Sequence, residues 1–212
     1  MFKKTVTLAI LLFFIAFGSF CGPGEEAADE TEPTEMEEPA AMEQDLHAVA
    51  NLAPASGSNV QGTVTFHQTN GQVQVVADVT GLTPGTHGFH VHEIGDCSAP
   101  DATSAGDHFA PEGNPHGAPD AAQHHAGDLG NIEVDESGNA HLEMTVDYIS
   151  LGQGPNSILG RAVLVHADPD DLTSQPSGNA GARVACGVIE AGMAGAETMP
   201  GSLAEETPQS PQ

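Results

Sequence analysis

The chain has 212 residues and carries 4 Lys+Arg against 30 Asp+Glu, a formal net charge of −26. A surface this acidic excludes nucleic acid and anionic lipid headgroups as natural partners, because like charges repel. The length allows one ordinary domain with room for terminal segments that do not fold.

The first 20 residues begin with Lys3 and Lys4, run through an apolar stretch from Val6 to Phe17, and end near small residues. Basic start, short apolar centre and small-residue end are the pattern of an export signal. The apolar run falls short of the roughly 20 residues that span a bilayer, which leaves a retained membrane anchor as the weaker alternative. Cys21 follows directly and reads as the lipid-modified first residue of a lipoprotein. Phe20 stands where such a site expects a small residue, so cleavage after Ala16-Phe17-Gly18 competes. Residues 21–44 are rich in Glu, Pro and Ala and contain no aromatic side chain. They cannot bury enough apolar surface to offset their ordering entropy and are expected to form a disordered acidic tether. The tail over residues 192–212 has the same character. The expected folded domain is therefore residues 45–191. Once Lys3 and Lys4 leave with the signal, Arg161 and Arg183 face 30 acidic residues, a formal −28.

Within the domain, short runs alternate in polarity and no helical period persists. Leu46 to Leu52, Val60 to Phe66 and Gln72 to Val79 read as strands, with Asn70-Gly71 as a hairpin turn. Thr83-Pro84-Gly85 turns the chain into a strand carrying His90 and His92. Residues 95–128 then form a long Gly/Pro/Asp-rich stretch with four histidines. Ile132 to Val134 and Ala140 to Val146 flank the turn Ser137-Gly138-Asn139. Ala162 to Val165 is the next strand, a second long stretch covers residues 167–183, and Val184 to Ile189 ends the set. About eight short strands point to an all-β sandwich or barrel. Long stretches without secondary structure are usually functional or disordered, and the histidines favour function for the first.

His90 and His92, two apart on a strand, project to one face and suit a shared metal ion. His87 has odd spacing from His90 and faces the other way. His166 ends the strand Ala162 to Val165, where it can meet the pair across a barrel face. An imidazole-rich set of this kind favours Cu²⁺. His108, His116, His125 and Asp128 offer three nitrogens and one oxygen, which suits tetrahedral Zn²⁺. His124 adjoins His125 and is the alternative ligand, but Asp128 three residues on favours His125. His47, His67, His124 and His141 read as ordinary strand or loop residues. If Cys21 is an anchor, Cys97 and Cys186 remain as a disulfide pair. Metal ligation by these two is the alternative, although they lack the close spacing of zinc motifs.

Four motifs carry a resemblance: His87-Gly88-Phe89-His90-Val91-His92-Glu93, Thr103-Ser104-Ala105-Gly106-Asp107-His108-Phe109, His125-Ala126-Gly127-Asp128-Leu129-Gly130-Asn131, and Gly178-Asn179-Ala180-Gly181-Ala182-Arg183-Val184-Ala185-Cys186-Gly187. In this order, over about residues 46–190, the chain resembles the copper–zinc superoxide dismutases of the bacterial periplasmic or lipoprotein type. The resemblance implies an eight-stranded, immunoglobulin-like Greek-key barrel or sandwich with two long functional loops. It implies one copper and one zinc ion per subunit. His90, His92, His108 and His166 match the copper ligands, and His108, His116, His125 and Asp128 match the zinc ligands, with His108 bridging. Asp170 matches the carboxylate that links ligands of the two metals. Arg183 matches the arginine beside the copper, and could equally be a structural cation holding loop carbonyls. Cys97 and Cys186 match the disulfide that pins the long loop.

The activity so implied is conversion of superoxide to oxygen and hydrogen peroxide by alternating Cu(II)/Cu(I) chemistry in the cell envelope. A non-catalytic periplasmic copper/zinc-binding protein is the alternative function. The resemblance leaves monomer against homodimer open. Departures are Asp107 next to the bridging histidine, no lysine in the loop over residues 167–182, and a neutral Ser177. With a body at −28, these predict a slower rate than in strongly steered relatives, with little dependence on salt.

Overall fold

The computed structural model describes residues 45–192. The expected export signal over residues 1–20, the tether over residues 21–44 with Cys21, and the tail from residue 193 onward lie outside the described residues.

Among the described residues, nine strands follow in chain order: β1 (Leu46–Pro54), β2 (Gln61–Thr69), β3 (Gln72–Thr80), β4 (Gly85–His92), β5 (Asp128–Val134), β6 (Asn139–Val146), β7 (Ala162–His166), β8 (Arg183–Val188) and the short β9 (Glu190–Ala191). A single 3₁₀ turn, Thr103–Ala105, interrupts the first long loop. All pairings are antiparallel in the order β2-β3-β6-β5-β4-β7-β8-β1-β9, and a β1–β2 ladder closes the sheet on itself. The β3–β6 and β4–β7 neighbours make this a Greek-key barrel, with eight main strands and β9 as an extension of its wall. The expected all-β architecture is present, as one closed sheet. Its thinnest seam is β5–β6, where the ladder consists of Val134↔Ala140.

Local chemistry explains the elements. In β3, Val73, Val75, Ala77 and Val79 are buried while their neighbours face outward, the period-two pattern of a strand covered on one side. Asn70 and Gly71 both take positive φ, 52° and 78°, as the tight β2–β3 hairpin requires. Phe66, Phe89, Val91, Ile132, Val163 and Val165 fill the interior with the valines of β3. Each such side chain contributes about 1.5–3 kcal/mol on leaving water. Strand limits differ from expectation at several ends. β1 runs on to Pro54 and β2 to Thr69, β8 starts at Arg183, and β5 starts at Asp128 rather than Ile132. Asp128-Leu129-Gly130 does not alternate in polarity, so its strand character comes from pairing beside His90.

A second, smaller apolar cluster lies outside the barrel wall. Ala55, Ala102, Ala105, Ala162, Leu164 and Cys186 pack there with Cys97. It seats the first long loop, which the Cys97–Cys186 disulfide ties to β8 with a Cα–Cα distance of 5.8 Å.

Candidate metal centre

Phe89 and Val91 point into the core, so His90 and His92 emerge from the outer face of β4. The two long loops cover that face and leave both rings buried. Bulges flank the pair: the β4–β5 register shifts between Gly88 and His90, and the β7–β8 register between Val165 and His166. Bulges re-aim side chains, and here they turn His90 and His166 toward one another, ring centroids 4.9 Å apart.

Beyond the bulge the first loop lies against the edge of β4. The Val91 amide donates to Gly127 O at 2.8 Å, the Phe109 amide to Val91 O at 2.9 Å, and the Gly127 amide to Phe109 O at 2.8 Å. An isolated bridge pairs His92 with His108. Any side chain at Gly127 would strike the Val91 carbonyl, so only glycine allows this approach.

Two donor sets result. His90, His92, His108 and His166 form one, and His108, His116, His125 and Asp128 the other; in each, the donor atoms lie within 4.8 Å of one another. In the first set each ring has one nitrogen anchored. His90 Nε2 donates to Asp170 Oδ2 at 2.8 Å, His92 Nδ1 to Gly106 O at 2.9 Å, and His166 Nδ1 to Gly181 O at 3.3 Å. The other nitrogens, His90 Nδ1, His92 Nε2, His108 Nε2 and His166 Nε2, are buried without a hydrogen-bond partner. Four buried, partnerless nitrogens converging on one point would be costly in a protein with nothing to bind there. They fit a copper ion, which imidazoles hold well.

In the second set three ring nitrogens surround Asp128 Oδ1: His108 Nδ1 at 2.9 Å, His116 Nδ1 at 3.0 Å and His125 Nδ1 at 3.3 Å. Asp128 Oδ2 accepts from the His125 amide at 2.8 Å and the Gly117 amide at 3.1 Å, which fixes the carboxylate. Three nitrogens and one oxygen, fully enclosed, fit a closed tetrahedral zinc site. His108 belongs to both sets, one nitrogen in each.

Asp170 spans them, because its Oδ1 accepts from His116 Nε2 at 2.9 Å while Oδ2 holds His90. Gly178, at φ 63°, gives it room; a Cβ there would overlap Asp170 Oδ1. Electrostatics follow the burial. Burial pushes the His108 imidazole down to about 4 against the pull of Asp128, and His166 down to about 3. Burial works to raise the Asp128 carboxyl, but bonds from His108, His116 and His125 hold it well below the usual range.

Arg183, half buried at the start of β8, donates from Nη1 to Ala102 O at 2.7 Å and from Nη2 to Gly106 O at 2.6 Å. Gly106 O is also the acceptor for His92, so the guanidinium is tied to a ring of the first set through one carbonyl. Arg183 thus holds two loop carbonyls with two of its N–H groups, and the guanidinium has three more.

The structure brings together every expected ligand in the described residues, including His125 rather than His124. His124 sits edge-on to Tyr148, with centroids 4.5 Å apart. His87 lies outside both sets, with Nδ1 donating to His166 O at 2.8 Å. His47 and His67, read as ordinary strand residues, do stand on β1 and β2, where their rings stack beside Asp45. Three supports escaped sequence reasoning. Asn131 and Asp170 exchange bonds of 2.9 and 2.8 Å, Gln175 and His116 exchange bonds of 2.8 and 2.9 Å, and Arg161 lies 3.5 Å over the Phe109 ring. Asn131 closes the motif that starts at His125, a usable signal; Gln175 and Arg161 stand in no motif.

Comparison with known proteins agrees with this geometry. The family model for copper/zinc superoxide dismutase matches residues 60–189. An extracellular Cu-Zn superoxide dismutase of Brugia pahangi is 44% identical over 151 residues, covering 67% of this chain and 74% of the relative. A Cu-Zn superoxide dismutase of Onchocerca volvulus is 44% identical over 154 residues, covering 68% of this chain and 96% of the relative. Among solved structures, that of the clock protein EA4 aligns with a TM-score of 0.62 at 44% identity, over 68% of this chain and 93% of the other. Two fused donor sets on a closed Greek-key barrel, matched by that model and by relatives across most of their length, place the chain in the copper/zinc superoxide dismutase family.

Proposed function

We propose that the protein disproportionates superoxide to oxygen and hydrogen peroxide, holding copper through His90, His92, His108 and His166 and zinc through His108, His116, His125 and Asp128. When both metals are bound, copper supplies one-electron chemistry between Cu(II) and Cu(I), and zinc supplies fixed positive charge beside the shared ring. The observation that carries the reading is His108, which presents Nε2 to one donor set and Nδ1 to the other. His108 Nε2 is the atom that would take up a proton from solvent when not committed to copper and pass it to the reduced substrate. Asp128 and the loop backbone keep the ring in place while that proton moves. Asp170 holds His90 and His116 in fixed orientations, and Arg183 draws the anion through its remaining N–H donors.

The test is dismutation by protein loaded with both metals, compared with free copper. His108→Ala is expected to abolish the activity, and Arg183→Ala to lower it with copper still bound. Loaded protein no faster than free copper would leave the non-catalytic metal-binding alternative.

The same reading places the protein outside the cytoplasm, with residues 1–20 as leader, 45–191 as the catalytic domain and 21–44 and 192–212 as flanking segments. The basic and apolar leader supports export, the Cys97–Cys186 disulfide suits an oxidising compartment, and one relative is named extracellular. The bacterial envelope type, with a lipid on Cys21, rests on the cysteine followed by an acidic tether. Mass spectrometry of the mature N-terminus tests it: a diacylglyceryl cysteine supports the anchor, and an unmodified terminus elsewhere refutes it.

A further inference from the structure

Outside the two fused sets, one more group of metal-capable side chains converges among the described residues: Asp45, His47 and His67. The β1–β2 ladder sets His47 directly opposite His67. Directly opposed residues on one face bring their Cβ atoms to roughly 5 Å. The two imidazoles lie parallel, with centroids 4.3 Å apart and planes within 6°. Both turn Nε2 toward the same atom, Asp45 Oδ1, with His47 Nε2 at 3.2 Å and His67 Nε2 in closer contact. The three donor atoms lie within 4.8 Å of one another, the same convergence as in the interior sets.

The surroundings differ. The side chains of Asp45, His47 and His67 are 62%, 35% and 38% exposed, so solvent reaches the donors from outside. The site stands on the β1–β2 wall, whereas His90 and His166 stand on β4 and β7, with β8 between β7 and β1. Neither arginine of the described residues competes for the carboxylate: Arg161 donates to Ser157 O and Glu93 O, and Arg183 to Ala102 O and Gly106 O. His141 with Asp78 makes the contrast. That pair, 2.7 Å apart and exposed, has no second imidazole and so offers two donors where Asp45, His47 and His67 offer three.

We propose that Asp45, His47 and His67 form a third, solvent-facing site for one divalent transition-metal ion, with Cu²⁺ preferred over Zn²⁺. Two imidazole nitrogens and one carboxylate oxygen are a borderline donor set, water completes the coordination, and at such a set Cu²⁺ binds most tightly of its row. This assignment is independent of the dismutase reading.

The experiment uses the full chain with its interior sites filled with copper and zinc, then dialysed against Cu²⁺ and assayed for bound metal and for the Cu²⁺ paramagnetic resonance signal. The wild type is expected to take up one further equivalent with a signal distinct from the interior copper. His67→Ala and His47→Ala lose that equivalent, and His141→Ala keeps it. Equal uptake by wild type and His67→Ala, or equal loss in His141→Ala, overturns the site. Uptake of Zn²⁺ in preference to Cu²⁺ overturns the metal assignment.

Discussion

At the scale of single residues, the first donor set depends on rings that each have one nitrogen committed and one without a hydrogen-bond partner. A histidine whose second nitrogen is held by a carboxylate or carbonyl keeps its tautomer and orientation and is a better ligand for it. Asp170 does this for His90 and His116 at once, at 2.8 and 2.9 Å. Asp170→Asn keeps the shape but loses the charge and one of the two acceptor oxygens. Metal affinity is expected to fall about 10- to 100-fold, read by competition with a chromogenic chelator. Affinity unchanged for both ions would show that the surrounding loop alone orients the rings.

At the scale of elements, the centre is a barrel face closed over by two loops, and the closure has few fastenings. The disulfide joins residues 89 apart in sequence. Crosslinking a loop of that length restricts the unfolded chain by about 4.5 kcal/mol in the entropy model, and natural disulfides typically contribute about 2–5 kcal/mol. Cys97→Ser with Cys186→Ser is expected to lower the free energy of unfolding by that range in urea titrations. It also frees the carbonyls of Ala102 and Gly106 to drift from Arg183, so dismutation by the metal-loaded double variant is expected to fall with stability. These fastenings show what the sequence could disclose. The hairpin at Asn70-Gly71 was legible because only certain residues take positive φ there. His90, His92, His108, His125 and Asp128 were legible because they stand in long motifs, and His116 and His166 because one lies in the histidine-rich stretch and the other ends a strand. The bonds of Gln175 to His116 and the stacking of Arg161 on Phe109 were not, since each joins residues far apart that carry no local pattern. The His47–His67 pair was illegible for the same reason: strand register, not spacing, sets one ring against the other. Asp128 hid the start of β5 because its polarity broke the alternation that marks a strand.

At the scale of the whole molecule, charge decides how the protein responds to its medium. In the metal-free protein, His108 and His166 are pushed down to about 4 and about 3, chiefly by burial, from an ordinary 6.5. Below pH 6.5 the unfolded chain takes up protons that the fold refuses, so stability falls as pH drops toward 3. His116 runs the other way: burial opposes its charge, but Asp128 and Asp170 lift it to about 9. Its contribution is fully present below pH 6.5 and is lost as pH rises through 9. Urea midpoints of the metal-free protein are therefore expected to peak near pH 6.5 and decline on both sides. A midpoint still rising at pH 9 would contradict the placement of His116 between two carboxylates.

The same charge governs the approach of substrate. Without Lys3 and Lys4 the chain carries two arginines against 30 acidic residues, and one of those acids, Asp107, adjoins the shared histidine. A body this negative repels an anion at long range. Under the proposed function, attraction would come from Arg183 and the bound metal ions, within a Debye length of about 8 Å at physiological salt. Added salt relieves the repulsion and weakens the attraction together, and the two effects oppose one another. The dismutation rate of the metal-loaded protein is thus expected to change by less than about twofold between 0.01 and 0.15 M salt, over which the Debye length shrinks from about 30 to about 8 Å. A steep fall over that range, measured by pulse radiolysis, would mean that a local positive field outweighs the acidic body. Asp107→Asn separates the two cases. It removes an acid beside the shared ring while leaving the rest of the surface unchanged, so a faster rate at low salt, converging with wild type at high salt, would locate the repulsion at the mouth of the site.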